Sequence, residues 1–281
     1  MADEPVREGE TLRMRAGRIL PESHGSLARG VPSSAPGTIF TLTLAGGIAL
    51  GSGEGRTVVF GRNRPDVHVC LGEDDLRVSR RQGTLVHHGR KWWVHNHGRV
   101  PLRLPGSRLL FGNEEPVPLD EGYTPLFVRG SNDREHLLEV YVTGADGRRP
   151  APRHNDITQP PRIWALDEDE RLALIVLGQR YLLHEPRPQP LPWHVAAAQL
   201  AELRPEAGWT RKRVEHLVVG VRNRLSADGV AGLTRAEIGE PVGNALNHNL
   251  LRELLLSTTL VPPDLAVLDG DRRAVHERPP E

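Results

Sequence analysis

Residues 60–98 read FGRNRPDVHVCLGEDDLRVSRRQGTLVHHGRKWWVHNHG, and this stretch decides the fold. Within it, Gly61-Arg62 and Ser79-Arg80-Arg81-Gln82 have the composition of charge-presenting loops. Each lies between runs that alternate apolar and polar residues, the pattern of half-buried strands. An Arg that follows a Gly at a strand end, and a Ser-Arg pair about one hairpin further on, can converge at one end of a β-sandwich. Guanidinium forks and a hydroxyl gathered there make a small anion site suited to a doubly charged phosphate.

The order G-R, then S-R-R-x-G, then W-x-V-x-N over Gly61 to Asn96 resembles the forkhead-associated (FHA) domain, a phosphothreonine-peptide reader. The likeness spans roughly residues 38–143. It implies that Arg62 is the main phosphate ligand and Ser79 its hydroxyl partner. Arg80, Arg81, Gln82 and Asn96 complete the expected phosphopeptide-binding set. Two departures stand out: Gln82 replaces the His of the usual S-x-x-H, and Val100 falls where a peptide-holding Asn would stand. The residues leave a second arrangement open, in which Arg62 pairs a carboxylate such as Asp74 or Asp75 and the sandwich is a phosphate-independent scaffold.

Outward from this stretch, short strand-like segments recur with turn residues between them. They are Thr57–Phe60, Val67–Leu71, Gly83–His87, Lys91–His95, Leu102–Leu104, Leu109–Phe111, Val117–Leu119, Pro125–Arg129 and His136–Thr143. Thr38–Leu44 alternates cleanly and should open the domain with one face buried. The Gly-rich run Ala45–Gly55 reads as hairpin turns, and without a G-K-[ST] ending it is not a P-loop. Trp92 and Trp93 must point to opposite faces. Pro101, Pro105, Pro116 and Pro118 suit edges only. The polar and aromatic segments Asn113–Leu119 and Glu121–Arg129, with Arg134-Glu135-His136, read as edge or turn structure or as a partner surface.

Residues 1–37, rich in Gly, Ser, Pro, Arg and Glu, read as a disordered tail. Residues 144–162 read as a Pro/Arg-rich linker. After it the period becomes helical, and 163–269 is expected as an all-α, winged or helix-turn-helix-like domain, followed by a charged tail at 270–281. Asp167 with Glu170 and Thr234 with Glu237 carry capping-box signatures. Helices are expected over 167–184, Trp193–Arg204, Thr210–Leu225 and Asn244–Leu256, with a short one at Thr234. The third places Val214, Leu217, Val218, Val221 and Leu225 on one stripe. Its other face carries Arg211, Lys212, Arg213, His216 and Arg222, which would suit duplex DNA if this were a recognition helix.

The chain has 281 residues, with 36 Lys+Arg against 36 Asp+Glu, so no global field draws it to nucleic acid or membrane. One cysteine, Cys70, excludes an internal disulfide framework. The absence of a signal or spanning segment makes the cytoplasm the expected compartment. An Arg-over-Lys bias with abundant Ala, Gly and Pro is that of a GC-rich, actinobacterial-like coding sequence. His68, His87, His88, His95 and His97 cluster in sequence, but strand alternation separates them and no metal motif accompanies them. No nucleophile elbow is present either. The sequence therefore implies a non-enzymatic, cofactor-free signalling adaptor: a β-sandwich plus an all-α domain. As the FHA resemblance implies, its partner would be a phosphothreonine-containing protein, such as a Ser/Thr kinase or its substrate. Membranes and small-molecule substrates are not expected partners. DNA-binding regulation through the helical domain is the alternative.

Overall fold

The structure, a computed structural model, describes residues 17–144 and 162–268. The chain divides into two compact units, Met1–Pro161 and Arg162–Glu281. The first is a sandwich of two sheets. One sheet runs β1-β3-β2-β12-β11-β8-β9 and the other β10-β7-β6-β4-β5. In chain order the strands are β1 (Arg18–Leu20), β2 (Ile39–Thr43), β3 (Gly46–Leu50), β4 (Thr57–Gly61), β5 (Val69–Cys70) and β6 (Gly83–His88). Then follow β7 (Lys91–Asn96), β8 (Leu102–Arg103), β9 (Leu109–Leu110), β10 (Val117–Leu119), β11 (Gly122–Arg129) and β12 (Glu135–Val142).

Between the sheets the inward side chains interdigitate. Phe60, Leu85, Trp92 and Val94 face Ile39, Ile48, Leu126, Val128, Leu138 and Val140, all fully or almost fully buried. Trp92 is in the core and donates its indole N–H to the Gly37 carbonyl at 2.8 Å, whereas Trp93 is half-buried on the opposite face. Pro118 sits in β10, an edge strand, where its missing N–H costs no ladder bond.

Three expectations need correction. Residues 17–37 are not part of a disordered tail. Strand β1 pairs antiparallel with β3, and Leu20 and Leu27 lie over Phe40, Leu42, Ala49 and Tyr141 as a second small core. The Glu139 carboxylate anchors this strap, accepting from the Ser26 hydroxyl at 2.7 Å and the Leu27 N–H at 2.8 Å. Because the strap covers its outer face, β2 is buried along its whole length instead of on alternate residues. Second, Gly46–Leu50 is a strand: a Cβ on Gly47 would stand 1.8 Å from the Thr41 carbonyl oxygen, so the glycine permits the close pairing. Third, Arg134, Glu135 and His136 are 7%, 6% and 2% exposed and Thr124–Val128 is buried, so these do not form a partner surface, whereas Asn113–Glu115, Glu121 and Arg129 are exposed. Residues 1–16, most of the linker (145–161) and the tail from 269 lie outside the described residues.

In the second unit, α1 (Glu168–Leu182) is buried on nearly every side from Leu172 to Gly178 and forms the centre. Its capping box is present: Asp167 accepts from the Glu170 N–H at 2.7 Å, and Glu170 accepts from the Asp167 N–H at 3.1 Å. Around it stand α2 (Trp193–Leu203), α3 (Arg211–Ala227, capped by Thr210), the short α4 (Arg235–Ile238, with its own capping box) and α5 (Ala245–Leu256). Gly178 lets α5 approach, since a Cβ there would stand 2.7 Å from Leu251 Cδ2. Val214, Val218, Val221 and Leu225 of α3 are buried, and Leu217 is half-buried. Among the described residues no helix is long and apolar enough to cross a membrane.

Candidate functional site

Three loops meet at one end of the sandwich: the β4–β5 loop from Arg62, the β5–β6 loop ending at Gln82, and the β7–β8 loop from His97. Their backbones are bonded to one another. The Arg62 N–H donates to the Ser79 carbonyl at 3.2 Å, the Asn63 N–H to Arg80 at 3.3 Å, and the His97 and Gly98 N–H groups both to Gln82 at 2.9 Å. Gly61 makes this approach sterically feasible, because a Cβ there would lie 2.4 Å from the Arg80 carbonyl oxygen.

Gln82 and Asn96 hold the cluster from beneath. Both are buried, at 0% and 4% exposure. Gln82 Oε1 accepts from the Ser79 N–H at 3.0 Å, and its Nε2 donates to Asn96 Oδ1 and the Val100 carbonyl, each at 2.8 Å. Asn96 Nδ2 donates to Val100 and Leu110, while its Oδ1 also accepts from the Gly98 N–H. Buried amides must use their donors and acceptors internally. The two amides of the expected phosphopeptide-binding set thus brace the loops from within. Val100 is likewise buried, with its carbonyl taken up in the same brace.

The upper side is different. Arg62 is half-buried, and its Nε is shielded from solvent without a hydrogen-bond partner. Among the described residues its guanidinium makes no ion pair. Asp74 and Asp75, the carboxylates considered as its partners, are engaged elsewhere. Asp74 accepts from Arg134 at 2.7 Å, and buried Asp75 accepts from His136 Nε2 and the Ser131 N–H, both at 2.9 Å. The Arg62–carboxylate arrangement is thereby corrected. The Ser79 hydroxyl oxygen accepts from the Arg99 N–H at 3.3 Å, and its hydrogen has no acceptor among the described residues. Arg80 and Arg81 are exposed beside it.

The Asp75 network fixes the β5–β6 loop against the β11–β12 turn. Burial alone would raise the Asp75 carboxyl, but hydrogen bonds from His136, Arg77 N–H and Ser131 hold it below the ordinary carboxylate range. Burial, opposed by the bond to Asp75, lowers His136 below the usual imidazole value. Sequence reading missed this anchor, whose partners are about sixty residues apart. It also missed Arg99, whose position just after Asn96-His97-Gly98 was the available signal.

The five α3 residues expected to meet DNA are not a free basic face. Arg213 pairs with Asp169 at 2.7 Å, stacks over Trp209 and donates to the Ala207 carbonyl. Arg222 donates to Asn247 at 3.3 Å, and burial lowers its pKa. Neighbouring Arg224 forks onto Glu170 at 2.7 and 2.8 Å. Arg211, Lys212 and His216 are exposed. The five histidines that cluster in sequence do not converge on one point: His68 Nδ1 accepts from the Val59 N–H, His87 lies edge-on to Trp92, His88 pairs with Glu54, and His95 stacks on His97. Among the described residues no three His, Cys, Asp or Glu side chains gather as a metal set. Cys70 is buried.

No protein-family model and no curated protein matches the chain. Among solved structures it is similar to FHA domains. One from Mycobacterium tuberculosis shares 16% identity over 38% of this chain and 98% of its own, with a TM-score of 0.31. An N-terminal FHA domain from S. cerevisiae, solved with a phosphothreonine peptide, shares 15% over 38% of this chain and 94% of its own, with a TM-score of 0.31. An FHA domain of a hypothetical protein from Arabidopsis thaliana shares 15% over 45% and 98%, also at 0.31.

Proposed function

We propose that the β-sandwich unit reads phosphothreonine in a protein partner and that the chain is a non-enzymatic adaptor in Ser/Thr-kinase signalling. The observation that carries this is Arg62. A guanidinium at the junction of three cross-bonded loops, with a shielded and unpartnered Nε, is an unfinished hydrogen-bond site. A phosphate dianion completes it with charge-assisted bonds. Ser79 adds its free hydroxyl hydrogen, and the Arg80 and Arg81 N–H groups lack acceptors among the described residues. Gln82 and Asn96 keep these donors in place before ligand arrives, which reduces the ordering cost of binding.

The test is titration calorimetry of the full chain with paired phosphothreonine and plain-threonine peptides, using wild type and Arg62→Ala. Phosphate-dependent binding that falls about 10- to 100-fold in the variant supports the reading. Equal binding of both peptide forms by wild type sinks it.

A further inference from the structure

We propose that the segment bound at this site carries further negative charge beside the phosphothreonine, as acidic side chains. The inference rests on the phosphothreonine reading and narrows its ligand class.

It follows from how charge is distributed over the three loops. Their acids are all engaged. Asp66 accepts from Asn63, Glu73 pairs with Arg64 at 2.9 Å, Asp74 pairs with Arg134, and Asp75 is buried in its own network. Their arginines are not. The side chains of Arg62, Arg77, Arg80, Arg81 and Arg99 have no acidic partner among the described residues, and all but Arg62 are exposed. Five guanidinium groups on three bonded loops exceed the two charges of one phosphate. Their like charge makes the local potential positive, and each added ligand charge lowers it.

The loops favour a peptide over a single-stranded nucleic acid. Residues 61–68, 71–82 and 97–101 contain no Phe, Tyr or Trp on which a base could stack. The turn packed on Gly98, through Gly112, bears Glu114 and Glu115, both exposed. Acceptance of acids is therefore one-sided: acidic residues on one flank of the phosphothreonine strengthen binding more than those on the other.

The experiment uses the full chain and six probes. They are a phosphothreonine peptide with alanine flanks, the same with three Asp/Glu residues before the phosphothreonine, the same with three after it, the two unphosphorylated acidic peptides, and a short single-stranded DNA. The variant is Arg77→Ser/Arg80→Ser/Arg81→Ser, which alters exposed side chains and leaves Arg62 and Ser79 intact; circular dichroism checks its fold. An Arg99→Ser variant gives an independent second reading. The expected result is that one acidic phosphopeptide binds about tenfold more tightly than the neutral one. That advantage should shrink toward unity in about 0.5 M salt and in the triple variant. Equal affinity of neutral and both acidic phosphopeptides overturns this inference and leaves the proposed function standing. No binding of any phosphopeptide overturns both. Binding of the unphosphorylated acidic peptides or of DNA as tightly as the acidic phosphopeptide also overturns it, since the cluster would then read charge alone.

Discussion

Gln82 ties its own loop to the β7–β8 loop through a single buried side chain. Its amide supplies one acceptor and two donor contacts, joining Ser79, Asn96 and Val100. Gln82→Ala leaves several buried groups unsatisfied at once and is expected to cost about 2–3 kcal/mol, read from urea unfolding of the chain, with weakened peptide binding. Gly98 is similarly constrained: a Cβ would stand 2.0 Å from Gln82 Nε2. Gly98→Ala should therefore displace the brace and destabilise by about 1–3 kcal/mol, seen as a lowered Tm. Arg62 and Ser79 were legible in the sequence because a Gly-Arg and a Ser-Arg pair at strand ends are local patterns. That Arg62 lacks a carboxylate was not legible. Asp74 and Asp75 are the carboxylates considered for it, yet they take partners at Arg134 and His136, a choice made by tertiary packing.

At the level of elements, period and caps served well where burial is one-sided. The Asp167/Glu170 and Thr234/Glu237 boxes open helices where expected, and Val117–Leu119 is a strand with the bounds read from sequence. Reading failed where a second layer hides a face. The strap's few apolar residues, Leu20 and Leu27 among them, are diluted in polar sequence, and Gly46-Gly47 looked like a turn. Leu27→Ala should cost about 2–4 kcal/mol in denaturant unfolding if the strap is a true part of the core. The anchor of the β5–β6 loop carries a pH dependence. His136 has a folded pKa below its unfolded value of about 6.5, so its contribution is present above that pH and lost as pH falls through the folded value. Asp75 is lowered as well, and its contribution is lost only on stronger acidification, below about 3.9. Wild type should therefore lose urea resistance between about pH 7.5 and about pH 5.5, and His136→Gln should lose less over that interval. An unchanged pH slope in the variant would remove His136 from the anchor.

For the whole molecule, the separation of cores matters most. Both apolar clusters of the sandwich are built from residues between Leu20 and Val142, and α1 centres a different core after Arg162. A chain ending at Pro161 should thus fold and bind phosphothreonine peptide within about threefold of the full chain, since binding energy follows local donors and not chain length. Circular dichroism and calorimetry check both parts. The division itself was readable from the change of period near residue 163; what the helical unit recognises was not, because the face that looks basic in sequence holds Arg213 and Arg224 in ion pairs with α1. The proposed function turns on the phosphate and Arg62. The direct measurement is calorimetry of the full chain against matched phosphothreonine and threonine peptides, with Arg62→Ala alongside. Binding that requires phosphate and is lost in the variant is the expected result, and phosphate-dependent binding that survives Arg62→Ala unchanged would contradict it.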